Sequence, residues 1–155
     1  MYQLFNNYDI RIPFDINDPI GYKVRMQQYE IWMNRPEVRT ALGIDFDTKD
    51  WTIFNDKAGN RLHDRFYYDR TDKYFKLLLD APFRQRVNVL LYTGTSDFVC
   101  NHIGLSEITH GLQWSGRINF NSEAQFRDSV YGSLKSFRNL FLLKFENAGH
   151  LVPTD

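Results

Sequence analysis

At 155 residues the chain has the length of one ordinary domain, and its 43% apolar and 25% charged residues are those of a globular protein rather than a disordered one. A formal net charge of zero supplies no basic face for nucleic acid or an acidic membrane surface, and no apolar run is long enough to span a bilayer. The lone cysteine, Cys100, rules out an intramolecular disulfide.

Residues 1–19 are rich in turn formers and read as an extended connector carrying Tyr8-Asp9-Ile10-Arg11. A helix is expected over 28–42, with Tyr29, Ile31, Trp32, Val38, Ala41 and Leu42 as its apolar face. Within it, Asn34 would cap a second portion starting at Pro36, and Gly43 would stop it. Residues 46–59 are polar and irregular around Trp51. A second helix is expected over 62–80, where Phe66, Tyr67, Tyr74, Leu77 and Leu78 recur at helical spacing, with His63 at its start and Ala81-Pro82 ending it. A buried strand over 87–92 follows, broken by Thr93-Gly94-Thr95-Ser96. Beyond the break come Asp97, a helix over 102–111, and an irregular crossover over 113–131 anchored by Trp114 and Phe120. A last strand over 141–145 leads through a small-residue turn to His150. No internal repeat or low-complexity tract interrupts this order.

Asp97 follows the end of a buried strand, where open α/β sheets place ligands and catalytic groups; a turn or helix-capping acid is the alternative. His150 repeats the arrangement after the second strand. Strand–turn–Asp followed by strand–turn–His is the order in which α/β hydrolases supply the last two members of a Ser…Asp…His triad. The histidine moves the proton of the nucleophile, and the carboxylate sets its tautomer and stabilises the imidazolium. Cys100, with His150 and Asn101, also offers the residue types of a cysteine nucleophile, a pocket thiol or a core cysteine. Ser96 and Ser106 each follow a Gly-x pair, yet neither has the closing glycine of a Gly-x-Ser-x-Gly elbow. His102 and His110 flank Glu107 at a spacing of eight, which is not the i, i+4 spacing of a helical zinc site.

Asp97-Phe98-Val99-Cys100-Asn101 and Ala148-Gly149-His150-Leu151-Val152-Pro153 resemble the Asp-box and His-box of the serine carboxypeptidases, particularly the carboxypeptidase Y-like branch. Tyr92-Thr93-Gly94, Trp114, the stretch from Lys135 to Leu140 and the stretch from Trp32 to Leu42 fit the same pattern. The resemblance implies the C-terminal part of an α/β-hydrolase fold, parallel strands flanked by helices, with helical insertions. It implies a serine-type carboxypeptidase that releases C-terminal amino acids from peptides, with Asp97 and His150 catalytic and Cys100, Phe98 and Leu151 shaping the substrate pocket. The nucleophilic serine, and the oxyanion donors with it, would lie in an N-terminal half outside these residues, supplied in cis or as a second chain. A peptide substrate is then the expected partner, with no cofactor, metal, nucleic acid or membrane, and a vacuolar, lysosomal or secreted setting. The chain also departs from the pattern, with Phe54 at a position where the family often has a cysteine after Trp51. A non-catalytic paralogue acting as a binding module, and an acyltransferase built on the same triad, are the rival readings.

Overall fold

The computed structural model describes residues 5–19, 21–45, 47–68, 71–128 and 131–155, with the backbone alone at 64–68 and 127–128. The chain forms two compact units, one from residues 22–69 and one from residues 1–21 together with 70–155.

The smaller unit holds α1 (Lys23–Met33), α2 (Pro36–Ala41) and α3 (Asp56–Tyr68). The helix expected over 28–42 is therefore two helices, and the first begins at Lys23. Asn34 separates them by closing α1 rather than capping α2. Its side-chain amide donates to the carbonyls of Glu30 (2.9 Å) and Trp51 (2.8 Å), and its oxygen accepts from the Trp51 amide at 2.7 Å. Arg35 is then extended (φ −64°, ψ 137°), as the residue before a proline must be, and Pro36 opens α2. Gly43, at φ 68°, ends α2 as expected. Its amide returns to the Thr40 carbonyl and that of Ile44 to the Arg39 carbonyl, both at 3.0 Å, a paired closure that needs a left-handed residue. α3 starts six residues earlier than Leu62, because the Asn55 side chain accepts from the Ala58 amide at 3.1 Å and caps the helix. His63 consequently lies inside α3 instead of at its start. The helix expected over 62–80 is likewise two: α3 and, in the larger unit, α4 (Asp72–Leu79). Residues 69–70, Phe46 and the side chains of Phe66 and Tyr67 lie outside the described residues.

The larger unit is built on a four-stranded sheet of β1 (Val89–Gly94), β2 (Phe126–Asp128), β3 (Gly132–Phe137) and β4 (Leu140–Phe145), in the order β1-β4-β3-β2. β1 and β4 are parallel, and the other two pairings are antiparallel. Besides α4, the unit carries α5 (His102–Gly111), at its expected limits, and α6 (Arg117–Ser122). The crossover over 113–131 is thus not wholly irregular, since it holds α6 and β2, and β3 is a further strand beyond the two expected. β3 turns into β4 through Arg138 and Asn139, and the Asn139 side-chain amide donates to the Val87 carbonyl at 2.9 Å while the Asn139 backbone carbonyl takes the Val89 amide at 2.8 Å. β1 accordingly starts at Val89 rather than Val87.

One face of the sheet is packed. Leu140 and Leu142 of β4 join Leu79, Leu112, Trp114 and Phe120 in the core, with Val89 and Leu91 of β1 against them. Trp114 and Phe120 are the anchors expected of this segment, and truncating a ring buried like Phe120 costs about 3–5 kcal/mol. The opposite face carries equally apolar residues, but Leu90 and Tyr92 are half exposed there, and with Leu143 and Phe145 they line a groove of about 670 Å³.

Asp80, just after α4, accepts from Lys76 Nζ (2.8 Å) and from the Ser115 amide (2.9 Å). The Lys76 hydrogen bond, against the opposing effect of burial, holds its carboxyl at about 2, below the ordinary 3.8. A carboxyl lowered on folding stabilises the fold above its unfolded pKa and loses that contribution as pH falls through the folded value. An Asp80→Asn variant should therefore melt a few degrees below the parent at pH 7, and thermal melts down a pH series should show the gap closing between 3.8 and about 2. A gap unchanged across that range would refute the linkage.

Candidate active site

β1 and β4 run side by side and release their chains at the same end, with Gly94 opposite Phe145. Thr95 N donates to the Phe145 carbonyl and Ser96 N to the Ala148 carbonyl, both at 2.9 Å, so the two loops begin already joined. Gly94 allows this approach: a β-carbon there would fall 2.1 Å from the Ala148 carbonyl oxygen and 2.4 Å from that of Gly149. Asp97 ends the first loop and His150 the second.

The Asp97 side chain is buried, and both of its oxygens are engaged. Oδ1 accepts from the Cys100 amide at 3.0 Å, and Oδ2 lies 2.8 Å from His150 Nδ1. A carboxylate can only accept, so Nδ1 carries a proton, and in the neutral ring Nε2 holds the lone pair. Among the described residues Nε2 has no hydrogen-bond partner, and about a third of the His150 side chain remains exposed. The ring is braced edge-on by Tyr8, with centroids 5.0 Å apart, and the His150 amide donates to the Tyr8 carbonyl at 2.7 Å. The arrangement presents one oriented basic nitrogen at an open surface, with a fixed anion behind it. Such a pair can accept and return a proton.

Of the other sequence candidates, Cys100, Phe98 and Leu151 adjoin the pair in the chain, while Asn101 and Ser106 bond within α5. Cys100 follows Asp97 in the same loop, its carbonyl accepting from Thr93 Oγ1 at 2.9 Å. The residue as a whole is exposed, but packing around the sulfur and, second, the Asp97 carboxylate push the thiol pKa up. A raised thiol is the reverse of what a cysteine nucleophile requires. Phe98 is exposed beyond Asp97, its ring edge-on to Phe5 at 5.9 Å, and Leu151 is half-buried directly after His150. Asn101 caps α5, accepting from the Gly104 amide at 2.8 Å. Ser106 donates to the His102 carbonyl, and the neighbouring His110 gives its Nδ1 proton to the Ser106 carbonyl at 2.6 Å. No serine oxygen is bonded to His150 among the described residues.

Ligand atoms of Asp97, Cys100 and His150 lie within 4.8 Å of one another, close enough to be considered for a cation. Binding one would break the Asp97–His150 hydrogen bond and take the proton of a thiol already pushed up, so the donor set fits proton transfer better. His102, Glu107 and His110 form no such group among the described residues.

In the sequence, Tyr8-Asp9-Ile10-Arg11 reads only as part of an extended connector, without a place behind the site. Asn7, Tyr8, Ile10 and Arg11 bond to both loops, and Asp9 is buried beneath them. The available signal was an acid and a base two positions apart in a stretch without regular structure.

Comparison with known proteins gives a consistent result. The serine carboxypeptidase family matches residues 15–155. The pheromone-processing carboxypeptidase kex1 of Talaromyces stipitatus is 30% identical over 97% of this chain and 25% of its own length. The carboxypeptidase Y homolog A of Pyricularia oryzae is 32% identical over 97% of this chain and 27% of its own length. The chain thus spans about a quarter of the length of the curated relatives it matches. Among solved structures, Kex1(delta)p, a prohormone-processing carboxypeptidase from Saccharomyces cerevisiae, superposes with a TM-score of 0.74 over 96% of this chain and 33% of that one, at 21% identity, which shows the shared α/β-hydrolase fold.

The close approach at Gly94 is directly testable. Gly94→Ala should push the two loops apart, costing about 1–3 kcal/mol of stability and abolishing the low-field proton resonance of the Asp97–His150 hydrogen bond. A variant that keeps that resonance would show that the loops tolerate the methyl group.

Proposed function

The chain belongs to the serine carboxypeptidase family, and on that premise we propose that it is the C-terminal portion of a serine-type carboxypeptidase, supplying the acid and the histidine of a Ser-His-Asp relay. The observation that carries this reading is the buried Asp97 bonded to His150 Nδ1 at the ends of adjacent parallel strands, with Nε2 open. A serine would come from the part of the protein that the longer relatives possess, in cis or as a second chain.

In the proposed reaction His150 Nε2 takes the serine proton as the serine oxygen bonds to the carbonyl carbon of the last peptide bond. That carbon–nitrogen bond then breaks, and the same proton passes to the departing amine, releasing one C-terminal amino acid. Water next attacks the acyl ester and gives a proton to His150, which returns it to the serine oxygen as the shortened peptide leaves. Asp97 holds the ring in register and balances its positive charge between these transfers. Cys100, Phe98 and Leu151 border the relay, and we assign them to the walls around the scissile bond. Family membership also leads us to place the protein in a vacuolar, lysosomal or secretory setting. No helix among the described residues is long and apolar enough to cross a membrane.

The open edge of β1 supports the need for a complementing portion. β4 pairs one side of β1, no described strand pairs the other, and Leu90 and Tyr92 of this edge strand are half exposed on the open face of the sheet. An unpaired apolar strand of this kind invites association. Alone, the 155-residue chain should be catalytically silent and prone to associate.

The reading is tested by expressing the chain together with its serine-bearing portion and following release of the C-terminal residue from a blocked dipeptide. Asp97→Asn and His150→Ala should each lower kcat by roughly three or more orders of magnitude. Near-parental turnover in either variant would sink the relay. A soluble, well-folded assembly that binds peptide without turnover would favour the binding module, and transfer of the acyl group to an alcohol in preference to water would favour the acyltransferase. For the pocket, Cys100→Ser should keep most activity while a bulky thiol reagent inhibits the parent. Abolition by Cys100→Ser would instead make this a cysteine enzyme.

A further inference from the structure

We propose that residues 7–11 act as a strap that sets the spacing of the acid and histidine loops, with Asp9 and Arg11 as positioning residues for the Asp97–His150 pair. The inference rests on the carboxypeptidase reading for its catalytic meaning, and on geometry for the strap itself.

Four of these five consecutive residues, Asn7, Tyr8, Ile10 and Arg11, bond to one loop or the other, on both sides of the acid. The Asn7 carbonyl accepts from the amides of Phe98 and Val99, each at 3.1 Å, immediately after Asp97. Ile10 donates its amide to the Ser96 carbonyl at 3.0 Å, immediately before it. Between these two, the Tyr8 carbonyl takes the His150 amide at 2.7 Å, so the strap holds the histidine by its own backbone.

Arg11 extends the hold to the rest of the second loop. One terminal nitrogen, Nη1, donates to the Asn147 carbonyl, and the other, Nη2, lies 3.2 Å from Asp155 Oδ2. That same Asp155 oxygen accepts the Gly149 amide at 2.6 Å, one residue before His150. The loop is therefore gripped at 147, 149 and 150, and two of those grips run through a single guanidinium.

Asp9 sets the direction of that guanidinium. It is 1% exposed, and its Oδ1 accepts from the Arg11 amide (3.0 Å) and from Nε (2.8 Å), while Oδ2 accepts from Nη2. Burial alone would raise the Asp9 carboxyl, but the Arg11 hydrogen bonds and charge outweigh it and hold the group below its ordinary value. With one edge of the fork fixed on Asp9, Nη1 is left facing Asn147. A lysine could neutralise Asp9 but has no planar fork with which to hold Asp9 and the 147–155 segment together.

The test compares parent, Arg11→Lys and Asp9→Asn in the chain assembled with its serine-bearing portion, by two readouts. Hydrogen exchange followed by mass spectrometry should show protection of the 146–155 segment falling at least roughly tenfold in both variants, with peptides from α6 and β3 unchanged. Peptide turnover should lose roughly 10- to 100-fold in kcat with KM held within about twofold, since misplacing a bound proton acceptor slows chemistry without removing substrate contacts. Unaltered protection of 146–155, or a loss spread evenly over the core peptides, would overturn the proposal. So would a fall in kcat/KM carried by KM alone. A parent that turns over no peptide would defeat the carboxypeptidase reading instead, and the exchange experiment would still decide the strap.

Discussion

Between Gly94 and the carbonyls of Ala148 and Gly149 there is no room for a β-carbon, and the whole site depends on that lack of room. Two parallel strands hold their backbones a little under 5 Å apart only while the ladder lasts, and beyond its end twist carries the chains away from each other. Here they stay together for several more residues. The Ser96 amide is near enough to bond the Ala148 carbonyl, and Asp97 and His150 emerge at a separation that a single hydrogen bond spans. The residue without a side chain thus governs the geometry of the two residues whose side chains form the Asp97–His150 hydrogen bond.

Two buried carboxylates lie around these loops, and they are satisfied in different ways. Asp9 faces the planar fork of a guanidinium, which suits a structural tie. Asp97 faces an imidazole nitrogen, with a backbone amide on its other oxygen. An isolated buried carboxylate is costly, and each of these avoids the cost with fixed donors. The contrast puts the carboxylate–guanidinium pair in the frame and the carboxylate–imidazole pair beside the open surface.

The parts of this fold legible in the sequence are those whose information is local. β1 and β4 announce themselves as short apolar runs ended by turn residues, α5 lies between Asn101 and Gly111, and Trp114 and Phe120 are large enough to mark the core by themselves. Asp97 and His150 were legible because each follows such a strand at once. β3 was not, since Gly132, Ser133, Lys135 and Ser136 give it little apolar character, and its existence comes from pairing with β4. The early start of α3 was hidden by a polar first turn and is governed by one Asn55 side chain. The role of residues 7–11 was illegible for a stronger reason. Their partners lie about ninety and one hundred and forty positions away, and nothing local encodes a backbone hydrogen bond across that distance.

The order of the strands also has a consequence for how the protein reaches its folded state. β3 and β4 are joined by a two-residue turn, so their pairing closes a short loop and can form early. β1 pairs with β4 from roughly fifty positions away and must await a much larger loss of chain freedom, and the amino-terminal segment closes a larger loop still. The histidine therefore rides on the element that nucleates early, while the acid and the residues bridging the two loops arrive late. On loop-closure entropy alone, the Asp97–His150 hydrogen bond is completed after the β3–β4 hairpin, and it depends on contacts the hairpin does not contain.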